Sequence, residues 1–241
     1  MIVIQAEKLT KLYGGQEAVS QIDFTVTKGE IFGIIGPNGA GKTTAVEMMS
    51  GYRKPSSGTV RVLGLDPVAD WKELKEKIGV VLQHTNFYDK LKVKEVLELF
   101  ASYYKKTRSV DEIVGMLDLS PYMSKYVKKL SGGWKQRLAI AIALINDPDI
   151  IFLDEPSTGL DPEVRAKLWR IFKKMQQEGK TLVLTTHYME EAQRLCDRVA
   201  VFRAGVIAAC DNPYELIGQW VPSEGTLEDV YLSLTGAARG E

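Results

Sequence analysis

Short apolar runs separated by polar, helix-spaced segments fill the first eighty residues and return after residue 150. Residues 2–5 and 20–27 alternate or run apolar as strands do, with Tyr13-Gly14-Gly15 as the turn between them. Ile31-Phe32-Gly33-Ile34-Ile35 is apolar throughout, the pattern of a strand covered on both faces. The turn-rich stretch 51–58 leads to a strand predicted over 59–63. Residues 70–77 pattern as a helix, and Ile78-Gly79-Val80-Val81-Leu82 as another buried strand. The texture changes after Gln83. From about Val93 to Leu119 the pattern is helical, with Val93, Val96, Leu97 and Phe100 spaced three and four apart. Strands return at 150–153, 182–184 and 199–202, and Pro162 and Gly179 bracket a helix between the first two. Buried strands alternating with helices predict an α/β chain with a mainly parallel sheet. Residues 87–147 form a mostly helical insertion in it.

Directly after the apolar run 31–35 stands Gly36-Pro37-Asn38-Gly39-Ala40-Gly41-Lys42-Thr43, which fits G-x-x-x-x-G-K-[ST], and 44–49 continue as a helix. The glycines let the backbone curl until successive N–H groups point inward, which makes an anion nest at a helix N-terminus. Lys42 places its ammonium between the outer phosphates of a nucleotide, and the Thr43 hydroxyl completes a Mg²⁺ shell. This predicts a nucleotide phosphate site.

Other polar residues stand where strands end, and in a parallel sheet those ends lie beside the phosphate loop. Asp154 and Glu155 follow an apolar strand, and alternation along the strand gives them different tasks. Asp154 is expected to hold Mg²⁺ through water, and Glu155 to polarise the attacking water. His187 follows the strand at 182–184 and can donate a hydrogen bond to the terminal phosphate, which distinguishes triphosphate from diphosphate. Gln83 also ends a strand and offers an amide oxygen to Mg²⁺, whereas His84 reads as a surface residue. In Leu130-Ser131-Gly132-Gly133-Trp134, Ser131 can cap the next helix while Gly132 and Gly133 leave its first N–H groups uncovered, a second anion site. One nucleotide does not need two such sites. A head-to-tail dimer resolves this, with each such helix end facing the γ-phosphate held by its partner.

Bulk properties narrow the setting. Lysine plus arginine equals aspartate plus glutamate at 31 each, so no basic excess calls for nucleic acid, and none is expected as a partner. No apolar run approaches the roughly 20 residues of a membrane span, and the first residues lack the pattern of a signal peptide. The expectation is a cytoplasmic protein, peripheral on the cytoplasmic face of the cell membrane. Cys196 and Cys210 are far from C-x-x-C spacing and read as reduced packing residues.

Taken together these motifs resemble an ATP-binding cassette (ABC) ATPase, the motor subunit of ABC transporters, over essentially the whole chain. Residues 36–43 resemble the Walker A, Gln83 the Q-loop, 130–133 the signature, and 150–155 the Walker B with its catalytic glutamate. Ser157-Thr158-Gly159-Leu160-Asp161 is similar to the D-loop, His187 to the switch histidine, and Tyr13 to the aromatic that stacks on adenine. The resemblance implies a P-loop NTPase core with an antiparallel β subdomain and a helical insertion. Approximate bounds are 1–86 with 148–215 for the core, 87–147 for the signature subdomain and 216–241 for the tail.

The resemblance also implies ATP and Mg²⁺. ATP contacts fall on Tyr13, Gly36, Asn38, Gly39, Ala40, Gly41, Lys42, Thr43 and Thr44, and from the other side on Ser131, Gly132, Gly133 and Asp161. The metal set is Thr43, Gln83 and Asp154; Glu155, His187, Gln83 and Lys42 carry the chemistry. The partners implied are a second ATPase subunit, as a homodimer, and a separate integral membrane permease, reached through the insertion near Gln83, Phe87 and Tyr88. Trp134 stands where the family usually has glutamine, so altered affinity is expected rather than inactivity. Residues 213–236 are similar to the tail of the daunorubicin-resistance class, whose members serve exporters of drugs, antibiotics or lipid-linked products. Two rival readings stand beside this one: a soluble ABC ATPase of translation or DNA repair, and a weakly hydrolysing nucleotide-gated module.

Overall fold

The computed structural model describes residues 1–83, 87–221 and 225–235; His84 and Gly236 lie outside them. A long hairpin opens the chain, β1 (Ile2–Tyr13) and β2 (Gln16–Thr27), followed by β3 (Ile31–Ile35), α1 (Lys42–Met49), β4 (Ser57–Val62), α2 (Trp71–Leu74) and β5 (Ile78–Val81). The insertion carries α3 (Val93–Ala101), α4 (Val110–Met116) and α5 (Gly132–Ala143). The core resumes with β6 (Ile150–Asp154), α6 (Pro162–Gln177), β7 (Thr181–Thr186), α7 (Met189–Leu195), β8 (Arg198–Arg203) and β9 (Val206–Asp211). The tail is α8 (Pro213–Trp220) and α9 (Leu227–Thr235).

Two sheets result. One is antiparallel, in the order β2-β1-β4; the other has the order β5-β6-β7-β3-β8-β9, parallel except for the β8–β9 pair at its edge. The period-2 alternation of strand side chains sorts the apolar runs into two cores. Ile31, Ile35, Ile151, Leu153, Leu182, Leu184, Val199 and Val201 face the helices α3 to α9. Phe32, Ile34, Ile150, Phe152, Val183, Ala200 and Phe202 face α1 and the antiparallel sheet. This explains why the central strands are apolar at every position. At Gly33 a Cβ would come within 2.7 Å of Cys196 Sγ, so strand and α7 touch there without room for a side chain.

Several expectations need correction. The helical pattern from Val93 to Leu119 is two helices, with the half-buried Tyr104 between them and a second break after Met116; apolar spacing alone does not register the intervening turns. Residues 70–77 hold only the single turn of α2, stopped as Lys77 turns into β5. The strands of the hairpin run farther than 2–5 and 20–27, because the bulged pairing between Leu9 and Lys11 continues to Tyr13. The tail carries two helices, and α8 spans position 216. Leu216, Leu227 and Val230 are buried in the core shared with α7, so the tail is packed onto the core.

Candidate nucleotide site

The phosphate loop is pinned by close backbone approaches. Gly41, the N-cap of α1, has φ 101°, and a Cβ there would lie 2.4 Å from Ala18 O; at Gly36 it would lie 2.5 Å from Phe202 O. Any side chain would push the loop off β2 and β8. No side chain caps α1, so its first N–H groups face a cavity of about 490 Å³. That cavity is lined by Asn38, Gly39, Gly41, Lys42, Thr43, Thr44, Gln83 and Glu155. Lys42 is almost fully buried and donates to Gly36 O at 2.9 Å and Pro37 O at 3.1 Å.

The sheet brings the acidic pair to the same place. Asp154 ends β6 beside Thr185 of β7, whose Oγ1 donates to Asp154 Oδ1 at 2.5 Å, and Thr43 Oγ1 donates to the same oxygen at 3.2 Å. Burial pushes the Asp154 carboxyl up from its usual range, against the two hydroxyls and Lys42. Its Oδ2 is buried with no hydrogen-bond partner among the described residues, a costly arrangement for a carboxylate unless something accepts its charge. A divalent cation fits that need. The oxygen set is a carboxylate, the Thr43 hydroxyl and the Gln83 amide, the hard donors that Mg²⁺ takes.

Glu155 turns out of the strand with φ 49°, an unusual conformation for a residue with a side chain. Its N–H donates to Thr185 Oγ1 at 2.9 Å. Its Oε1 lies 3.3 Å from Lys42 Nζ, and its Oε2 lies 3.0 Å from His187 Nδ1 and accepts from Thr158 Oγ1 at 3.0 Å. Burial raises the Glu155 carboxyl, but Lys42, Thr158 and His187 together outweigh it and hold it below its ordinary value. It is therefore anionic near neutral pH. Lys42, Thr43, Gln83, Asp154, Glu155 and His187 converge on one spot, though only Lys42, Thr43, Gln83 and Glu155 line the cavity wall.

The remaining predicted residues lie elsewhere. Ser131 sits at the N-cap of α5 but makes no side-chain cap bond, so the expected cap is corrected: the hydroxyl is exposed and free of the helix. Ser131, Gly132, Gly133 and Asp161 line a second cavity of about 240 Å³, with Trp134, Arg137, Leu160 and Val164. The two cavities have no lining residue in common. A Cβ at Gly132 would meet no atom within 4 Å, so nothing inside the chain requires glycine there. Trp134 stacks on Tyr122 with centroids 3.9 Å apart, and the Arg137 guanidinium lies 4.7 Å from its ring. Tyr13 is two-fifths exposed at the end of β1, with Arg53 and Lys11 near its ring. Tyr88 is exposed, whereas Phe87, expected beside it at the contact with the permease, is partly buried and packed against the core.

No role fell to Thr185 or Glu191 from sequence, and Thr158 had only a place in the D-loop resemblance. Thr185 carried a signal, a hydroxyl inside an otherwise apolar strand run. Thr158 and Glu191 carried none, because their partners are brought together only by the fold.

The family model described as ABC transporter matches residues 19–158, more than half of the chain, and one described as an AAA domain, putative AbiEii toxin, matches 126–191. The Nod factor export ATP-binding protein I of Rhizobium etli is 41% identical over 229 residues, 93% of this chain and 72% of that protein. The protein of the same name from Cupriavidus metallidurans is 40% identical over 220 residues, 89% and 73% of the two chains. Among solved structures, an ATP-binding subunit of an ABC transporter superposes with TM-score 0.87 at 24% identity, over 96% of this chain and 99% of that one, a likeness of fold. A dimeric ATP-binding cassette in a post-hydrolysis state with ADP and Pi superposes with TM-score 0.78 at 29% identity, over 87% and 98%.

Proposed function

This chain belongs to the ABC transporter family, and we propose that within it the chain is the ATP-hydrolysing subunit of an exporter, working as a head-to-tail pair. The observation that carries the reading is the division of the site into two cavities with no shared lining residue. One holds the phosphate loop with Glu155; the other holds the uncapped start of α5 with Asp161. Each ATP then lies between Gly36, Asn38, Gly39, Ala40, Gly41, Lys42, Thr43 and Thr44 of one copy and Ser131, Gly132 and Gly133 of the other. Tyr13 stacks on the adenine, and Asp161 reaches across the pair.

The chemistry follows from charge and placement. Lys42 and the N–H groups of α1 receive the phosphates. Glu155, held anionic, polarises a water in line with the γ-phosphate and accepts its proton. His187 donates to the γ-phosphate, and its contact with Glu155 ties the two roles together. Thr43, Asp154 and Gln83 would hold Mg²⁺, which neutralises charge on the β- and γ-phosphates. Hydrolysis breaks the phosphate bridge between the copies, and like charges then part them.

The described residues contain no helix long and apolar enough to cross a membrane, and on the family likeness we assign the translocation path to a separate membrane subunit. An aromatic groove of about 240 Å³, lined by Tyr52, Trp71, Phe100 and Tyr103 between the core and α3, is the surface on which we seat it, with the chain peripheral on the cytoplasmic face. The cargo class rests on the relatives, named for export of Nod factor, and on the tail's likeness to the daunorubicin-resistance class. A lipid-linked or amphipathic product fits both. The test is ATP turnover by the purified chain beside its Glu155→Gln variant. Turnover abolished by the substitution supports the reading; wild-type protein that binds ATP without turning it over sinks it.

A further inference from the structure

Glu191 is fully buried, is not part of the nucleotide site, and sits one helical turn beyond His187 in the first turn of α7. Its Oε1 accepts two hydrogen bonds, one from Ser157 Oγ and one from Trp169 Nε1 at 2.8 Å. Its Oε2 is buried without a hydrogen-bond partner among the described residues. A carboxylate in that position is unfavourable as mere filling, since an apolar side chain would avoid the desolvation cost. What it holds is informative. Ser157 belongs to the loop 157–161 after β6, and Trp169 to α6, which that loop feeds. The neighbouring loop residue, Thr158, donates to Glu155, which also contacts His187.

Two rungs therefore join the same two segments. Consecutive residues of the loop, Ser157 and Thr158, are tied to Glu191 in the first turn of α7 and, through Glu155, to His187 just before that helix. The outer rung runs through Glu155, and the inner one is Glu191 alone. We infer that Glu191 is a positioning residue: it fixes the loop 157–161 to the start of α7, so that His187 and Asp161 move as one body when the pair of chains closes on ATP. The inference rests on the reading that Glu155 and His187 act in hydrolysis. Glu191 itself touches no reacting group. Its effect is to keep the His187 ring in line with Glu155 and to tie that alignment to the loop that meets the second copy.

The test uses Ser157→Ala, which removes the inner rung with the least disturbance, and Ser157→Thr, which keeps the hydroxyl; Glu191→Ala is the harsher variant. The chain has two histidines, so the His187 imidazole can be followed by NMR in isotope-labelled protein, with a His84→Gln variant to assign it. The positioning role predicts that Ser157→Ala lowers kcat by about tenfold, equal to ~1.4 kcal/mol, with KM changed less than about twofold. It also predicts a shifted or broadened His187 resonance, and recovery of both signals in Ser157→Thr. An unchanged His187 resonance, or a loss of melting temperature with kcat intact, would overturn it. The NMR arm needs no turnover, so it stands even where the wild type proves not to hydrolyse ATP and the functional reading fails.

Discussion

The phosphate-loop side and the signature side of this molecule are built in opposite ways. On the first, the groups that handle charge pair with one another inside the chain: Lys42 with two loop carbonyls and Glu155, Asp154 through Oδ1 alone with Thr43 and Thr185, Glu155 with Thr158 and His187. On the second, Ser131 is exposed and caps nothing, and Gly132 faces open space. Internal packing accounts for the first set and leaves the second unexplained. The lesson is that a residue type unneeded by its own chain points to a surface completed by another.

Substitutions on the two sides should therefore fail differently. The largest effect belongs to Glu155→Gln: turnover falls on the order of 10²–10⁴-fold, the range for a lost general base, while ATP affinity of the single chain is kept. Steady-state turnover and equilibrium binding of a fluorescent ATP analogue separate the two. Gly132→Ala breaks the comparison most sharply, because its effects have opposite signs. A Cβ there meets nothing, so α5 gains a few tenths up to about 1 kcal/mol of helix stability. Association of two copies on ATP nevertheless weakens by at least about tenfold, ~1.4 kcal/mol. Calorimetry and sedimentation read those two signs, and a variant that associates normally would place the glycine outside the interface.

Smaller effects sharpen the picture. Tyr13→Ala should weaken ATP binding about fivefold, ~1 kcal/mol, the low end for a base stacked on an aromatic ring. The change appears in single-chain titrations and leaves turnover at saturating ATP nearly unaltered. Trp134→Gln restores the residue usual in the family at the cost of the Tyr122 stack, about 0.5–1.5 kcal/mol. Its melting temperature should drop by a few degrees, at roughly 2–4 °C per kcal/mol for a chain of this size. ATP affinity of the single chain should not move.

What was legible in the sequence divides along the same line as the chemistry. The strands β3, β5, β6, β7 and β8 are largely apolar runs because both faces are covered, and β5, β6 and β7 lead to polar residues at one sheet edge. Gln83, Asp154 and His187 could thus be placed before any fold was known. The phosphate loop was legible because its glycines answer to backbone approaches at Ala18 and Phe202 that no other residue allows. The split of 93–119 into α3 and α4 was not, since turns between apolar helices leave the three-and-four spacing intact. Neither was the missing cap at Ser131, because N-cap sequence preference does not fix a hydroxyl's rotamer. The contact of Ser157 with Glu191 escaped for a related reason: a buried bond between a loop and a helix residue 34 positions apart has no local pattern.

The most direct test of the central claim is the mass in solution of purified Glu155→Gln, measured by size-exclusion chromatography with light scattering, with and without ATP and Mg²⁺. Two copies around bound ATP predict a dimer with ATP and a monomer without it. A monomer at saturating ATP would contradict the head-to-tail pair of identical chains and leave the second half of the site to a different subunit.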